Sequence, residues 1–204
     1  YACVQAESST SQHGDKDPQV RLYSFNGLRT PFYTKKHDIY VDFVGHAINR
    51  LASEGPLVIA GPEYIRPLIT PFLAEDTAYT PLSKSDYLDV LASASKVYLN
   101  GGQNSFLEAI QSDTLPVMVL PSNQSQYGLL AELSRELDTP ITEICPMLQL
   151  IPDHQRMLLC ANEREALDVW SDMLAETLAN KDISESIAAC VTQNPAVERM
   201  IASV

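Results

Sequence analysis

The segment 97–121 constrains this chain more than any other. Val97-Tyr-Leu-Asn-Gly-Gly-Gln-Asn-Ser-Phe-Leu-Glu108 begins as a short β-branched and aromatic run, stops at Gly101-Gly102 and resumes with polar side chains in what would be a helix's first turn. After Pro116 comes the apolar run Val117-Met-Val-Leu-Pro121. The order is strand, glycine turn, helix, strand. Where a helix follows a glycine turn in this way, free backbone amides and the positive end of the helix dipole converge on one spot, and the glycines let a ligand approach the backbone. That is the local chemistry of an anion site, and it points to a ligand carrying phosphate.

The flanking sequence repeats the same alternation. Residues 20–25 alternate at the strand period and end at Asn26-Gly27, a turn dipeptide that tolerates positive φ. Asp38 then caps a helix whose stripe of Val41, Val44, Ile48 and Leu51 stops at Gly55-Pro56. Residues 57–60 are wholly apolar, as expected of a strand covered on both faces, and end at Gly61-Pro62. Strand, helix, strand implies a right-handed parallel unit. Further on, the spacing predicts strands over 77–79, 97–99 and 117–120, with helices over 86–93, 105–112 and 126–137. Beyond Pro140, residues 147–151 and 157–160 read as short strands or buried turns. Residues 163–179 regain helical spacing through a core stripe of Leu167, Trp170, Leu174 and Leu178, and 183–204 read as one or two terminal helices around Pro195. The polar stretch 7–18 has no apolar period and reads as a linker or exposed loop. The fold expected is a single doubly wound α/β domain of Rossmann-like type over 19–204, with a parallel sheet and ligands at the carboxyl ends of its strands. An N-terminal segment, 1–18, precedes it.

Composition narrows the function classes. A formal net charge of -12 over 204 residues argues against nucleic acid or an anionic membrane as the main partner. Phosphate would have to be held by backbone dipoles and few local cations. Four cysteines, Cys3, Cys145, Cys160 and Cys190, are widely spaced with no C-x-x-C pair, which disfavours a zinc ribbon and leaves buried free thiols as the expectation. No apolar run approaches the roughly 20 residues that span a bilayer and no signal peptide opens the chain, so a cytoplasmic protein without a membrane span is expected. His13, His37, His46 and His154 lie apart, with no Ser or Cys arrangement suggesting a triad. Arg29, Lys35 and Lys36 follow the first glycine turn, where they either reach phosphate or form a solvated face.

Asn100-Gly-Gly-Gln-Asn-Ser-Phe-Leu-Glu108 resembles the donor-binding signature of GT-B glycosyltransferases of the UDP-glycosyltransferase kind. That signature typically reads His-Gly-Gly or His-Cys-Gly, then Trp or Gln, Asn-Ser, and a Glu three residues on. Ser24-Phe-Asn-Gly27 is similar to the family's Ser-Phe-Gly-Gly turn, Tyr79-Thr-Pro81 to its aromatic-x-Pro loop beside the nucleobase, and Ser125-Gln126 to its Asp-Gln facing the sugar. The likeness runs over about residues 20–180 and corresponds to the family's C-terminal half. It implies a diphosphate cradle of Asn26, Gly27, Gly101, Gly102, Asn104 and Ser105. It further implies ribose binding by Glu108, base contacts from Tyr79 and Pro81, and sugar contacts from Ser125 and Gln126. Asn100 and Ser125 depart from the family's His and Asp, which suggests an altered grip on phosphate and sugar.

The resemblance implies an inverting transfer from a nucleotide sugar of the UDP-sugar type, with no cofactor and no metal. The general base and acceptor site would lie outside this chain, in an N-terminal domain or subunit against which 183–204 could pack. Tyr1 as first residue suggests a truncated product or one subunit of a split enzyme. A nucleotide-sugar epimerase of related fold, or a non-catalytic regulatory or scaffolding domain, are the alternatives. Local alternatives stay open too. Ser105-x-x-Glu108 is also the pattern of a capping box, Gly101-Gly102 of a plain turn, Tyr79 and Pro81 of a structural loop, and Ser125-Gln126 of a helix opening.

Overall fold

The computed structural model describes residues 17–25, 31–75, 77–179 and 183–192. Five strands, β1 (Asp17–Ser24), β2 (Leu57–Gly61), β3 (Tyr79–Pro81), β4 (Ala94–Leu99) and β5 (Leu115–Met118), form one sheet in the order β3-β2-β1-β4-β5. Every pairing is parallel. At the centre Leu22 of β1 stands opposite Val58 on one side and Val97 on the other. Leu22, Tyr23, Ile59, Ala60, Val97 and Leu99 are all buried. That accounts for the unalternating apolar runs, because both faces of these strands are covered.

From β1 the chain steps outward through α1 (Ile39–Ser53) to β2 and through α2 (Arg66–Ile69) to β3. It then returns through α3 (Lys84–Ser93) to β4 and steps the other way through α4 (Gln103–Gln111) to β5. Right-handed crossovers in opposite directions put α1 on one face and α4 on the other. α3 packs on α4, β1 and β4, while α1 packs against α8 (Glu163–Leu178) and α9 (Ile183–Thr192). The expected doubly wound parallel sheet is therefore present, and its order reverses between β1 and β4. In open α/β sheets the crevice beyond such a reversal is where ligands bind.

Several boundaries differ from the sequence reading for identifiable reasons. The apolar run expected as a strand over 117–120 leaves the ladder after Met118, and β5 instead begins at Leu115. Pro116 is tolerated because β5 is an edge strand. Past Met118 the backbone is held mostly by side chains. Val119 N–H still donates to the Leu99 carbonyl at 2.8 Å. Tyr40 Oη donates to the Leu120 carbonyl at 2.8 Å, Cys145 Sγ to that of Val119 at 3.1 Å, and Trp170 Nε1 to that of Pro121 at 3.0 Å. Residues 147–151 fall in a largely buried 3-10 turn (Pro146–Leu150) rather than a strand, and 157–160 fall at the short α7 (Arg156–Leu159), where Met157 is buried but Leu158 and Leu159 are exposed. Two more helices, α5 (Gln124–Glu136) and α6 (Ile141–Ile144), lie between β5 and the 3-10 turn. β1 starts at Asp17, so its first residues come from the stretch expected as linker.

Candidate anion-binding cleft at the strand ends

At the carboxyl ends of β2 and β3, facing the first turns of α3 and α4, lies a cleft of about 370 Å³. Its lining is Gly61, Pro62, Leu82, Ser83, Lys84, Tyr87, Asn104, Ser105 and Glu108. Ligand pockets begin at about this size. Asn104, Ser105 and Glu108, all expected to touch the donor, are thus brought together in one cavity.

The helix starts that meet here are built differently. α3 opens behind Ser83, whose Oγ accepts from the Asp86 amide at 3.2 Å. α5 and α8 carry similar caps from Asn123 and Asn162. α4 opens behind Gly102, which has no side chain to offer, and no side-chain cap bond is made there. Its first intrahelical bond is Phe106 N–H to the Gly102 carbonyl at 3.1 Å. The amides of Gln103 and Asn104 precede the point at which a helix can satisfy its own donors. Ser105 and Glu108 are therefore three and six residues beyond the cap, so the pair is not a capping box of α4.

The two glycines of the turn have separate reasons. Gly101 has φ +93°, a conformation that a side chain rarely adopts. An added Cβ there would lie 3.5 Å from Cβ of Gln126 and 3.8 Å from Leu130, which seats the turn on α5. Gly102 has an ordinary φ of -70°, and the nearest atoms to an added Cβ, Gln126 Nε2 and Ser105 Oγ, stand 3.9 Å away. Neither backbone strain nor packing requires glycine at 102. Its bareness leaves room beside the α4 start.

Behind the turn, Asn100 is 2% exposed. Its Oδ1 accepts from Tyr23 Oη at 3.1 Å, while its Nδ2 has no hydrogen-bond partner among the described residues. Burying an amide donor unpaired is costly, so Nδ2 is a group in want of an acceptor. Burial pushes the Tyr23 phenol far above its ordinary range, so it keeps the proton that it donates to Asn100.

The remaining expected residues take other positions. Gln126 is buried against the glycine turn. Its Oε1 accepts from the backbone amide and the hydroxyl of Ser122 at 2.8 and 2.9 Å, and its backbone N–H donates to Asn123 Oδ1. Ser125 is exposed on the first turn of α5. Tyr79 points into the core, its ring 6.4 Å from that of Phe25 and its hydroxyl donating to the Pro62 carbonyl at 2.8 Å. Pro81 lies in β3 opposite Gly61, and Leu82 rather than Pro81 reaches the cleft wall. Asn26, Gly27 and Arg29 lie outside the described residues. Lys36 is ion-paired with Asp168 and Asp172 of α8, and Lys35 borders a separate hollow beside Leu68. His37 accepts the Thr34 amide on Nδ1 and donates from Nε2 to Asp168, tying the segment before α1 to α8.

Lys84 was not singled out in the sequence. It bonds Glu108 across the cleft, with its ammonium 5.3 Å from the centre of the Tyr87 ring. The polar run Ser83-Lys-Ser-Asp86 holds the missed signal, a capping serine three residues before an acid, which starts α3 at Lys84. What no local pattern could show is the contact with Glu108, 24 positions away.

Among the described residues no group of three His, Cys, Asp or Glu side chains could hold a metal ion. Nor is any described helix long and apolar enough to cross a membrane. Cys145, Cys160 and Cys190 are free thiols, the first of them buried.

No known protein-family model matches this chain. No curated protein matches it either. Among solved structures it is similar to the spinosyn rhamnosyltransferase SpnG, at a TM-score of 0.42 and 14% identity, covering 100% of this chain and 50% of that one. SpnG complexed with spinosyn aglycone aligns with a TM-score of 0.42 and 13% identity over the same shares. The glycotransferase of kitacinnamycin aligns with a TM-score of 0.34 and 13% identity, over 100% of this chain and 47% of that one. The chain spans about half the length of each of these proteins.

Proposed function

We propose that this chain binds a nucleotide sugar and serves as the donor-binding part of an inverting glycosyltransferase. The observation that carries the reading is the start of α4. It is uncapped and glycine-flanked, it follows β4 at the reversal of strand order, and its first turn lines a cleft whose other wall is the carboxyl ends of β2 and β3. A diphosphate at that start takes hydrogen bonds from backbone amides and from the side chains of Asn104 and Ser105.

Glu108 stands farther along the same helix, inside the cleft, with acceptor oxygens suited to the vicinal hydroxyls of a ribose. As the glycosidic bond to phosphate breaks, negative charge grows on the leaving diphosphate. Fixed amides and the helix dipole stabilise that charge without reorganising. The acceptor hydroxyl needs a base on the opposite face of the sugar. In this reading a second α/β half or subunit supplies it, and the chain alone binds donor without transferring it.

Calorimetry with uridine 5′-diphosphate tests the binding step. Saturable heat is expected in the micromolar to low millimolar range, and no heat at millimolar ligand would refute the assignment. Robust sugar transfer by this chain alone would refute the missing base.

A further inference from the structure

We propose that Lys84 and Glu108 form an exchangeable ion pair that makes the cleft selective for ligands carrying both a phosphoanion and hydroxyls. The proposal rests on the nucleotide reading and adds a residue and a selection rule to it. A carboxylate in a cleft that receives an anion repels it, and the chain's excess of acids worsens that field. Lys84 is the lysine or arginine among the cleft's lining residues, and in the empty cleft its ammonium is held by Glu108. The Lys84 side chain is 64% exposed and that of Glu108 21%. An ion pair so open to water is held weakly and can be given up for a better partner.

The geometry supplies that partner's seat. Lys84 is the first residue of α3, Asn104 and Ser105 lie in the first turn of α4, and all three face the same cavity. A phosphate there would meet the ammonium and the amides of two helix starts together. Tyr87 keeps the lysine at the rim. Its ring lies beneath the ammonium, and its hydroxyl is bonded to Ser24 at the end of β1. When the ammonium turns to phosphate, Glu108 is left with free acceptor oxygens. A ligand hydroxyl then satisfies them. A ligand with phosphate but no hydroxyls strips Glu108 of its cation and leaves the carboxylate uncompensated beside an anion. One with hydroxyls alone must compete with Lys84 for Glu108.

The test compares inorganic pyrophosphate with uridine 5′-diphosphate by calorimetry on the wild-type chain and three variants. Lys84→Ala should weaken both ligands by about tenfold or more and flatten the salt dependence, while Lys84→Arg should stay within about threefold of wild type. Glu108→Gln should do opposite things to the two probes. Pyrophosphate should bind about threefold tighter or better because Lys84 is no longer held, and uridine 5′-diphosphate should not share that gain because it loses its hydroxyl acceptor. A purely structural bridge would lower the melting temperature in the alanine and glutamine variants without this opposite response. Pyrophosphate affinity unchanged or weakened in Glu108→Gln overturns the exchange, even if the nucleotide binds. Failure of uridine 5′-diphosphate to bind any form, with pyrophosphate behaving as expected, overturns the nucleotide reading and with it the hydroxyl half of the rule. The charge exchange survives that outcome.

Discussion

Gly101 and Gly102 are neighbours with different burdens, and substitution separates them. At φ +93° an alanine at 101 is strained, and Gly101→Ala should lower stability by about 1–3 kcal/mol, read as a fall in the urea midpoint. Gly102→Ala meets ordinary backbone and open space, so its stability should move by less than about 1 kcal/mol. Its ligand affinity should nevertheless drop, because the methyl group intrudes beside the α4 start. Glu108→Ala belongs with Gly102. The residue lies inside the helix rather than in a cap, and its ion pair is part-exposed, so the cost to stability should stay within about 0.5–1 kcal/mol. A large loss of stability would restore the structural account of this carboxylate. At this scale the motif was readable in the sequence, but the division of labour within it was not. That depended on a dihedral angle and on how closely α5 approaches.

Elements were legible in kind and less so in their ends. α3, α4 and α5 each begin about two residues before the apolar spacing predicts, at Lys84, Gln103 and Gln124. Apolar periodicity reports the buried face of a helix, and a first turn at the end of a sheet need not be buried. The caps mark the true starts, and Asn123 is the clearest case. Its Oδ1 accepts the Gln126 amide at 3.0 Å, so Asn123→Ala should cost about 1 kcal/mol in a denaturant titration. The end of β5 shows the opposite limit. Residues 119 and 120 look like strand because they are apolar, yet side chains of Tyr40 in α1, Cys145 just past α6 and Trp170 in α8 bond the carbonyls of 119–121. Such partners are invisible to any local reading.

For the whole molecule, the buried pair of Tyr127 and His154 couples stability to pH. Burial pushes the Tyr127 phenol up to about 12, so it stays protonated, and its hydroxyl is hydrogen-bonded to Nδ1 of His154. Burial also holds the His154 imidazole below its ordinary value of 6.5, partly offset by the carboxylate of Asp153. The unfolded chain therefore binds a proton more readily than the folded one. The stability that neutral His154 provides is complete above the ordinary value and is lost as pH falls from there toward the depressed folded value. Urea midpoints should decline as pH falls below the ordinary imidazole value, and His154→Gln should flatten that decline. An unchanged slope in the variant would assign the pH dependence elsewhere.

The sequence by itself determined the alternating elements, the parallel doubly wound sheet and the glycine turn that opens on it. Those follow from local periodicity, turn chemistry and the handedness of crossovers, and each is encoded within a few tens of residues. Only the tertiary structure decided which polar groups share the cleft. It joined Lys84 to Glu108, turned the Tyr79 hydroxyl inward to the Pro62 carbonyl, engaged the Gln126 oxygen with Ser122, and left Nδ2 of Asn100 buried with no hydrogen-bond partner among the described residues. These outcomes depend on strand order and on the packing of helices distant in the chain. A polar side chain's chemistry is written at its own position, but its partner is chosen by the fold.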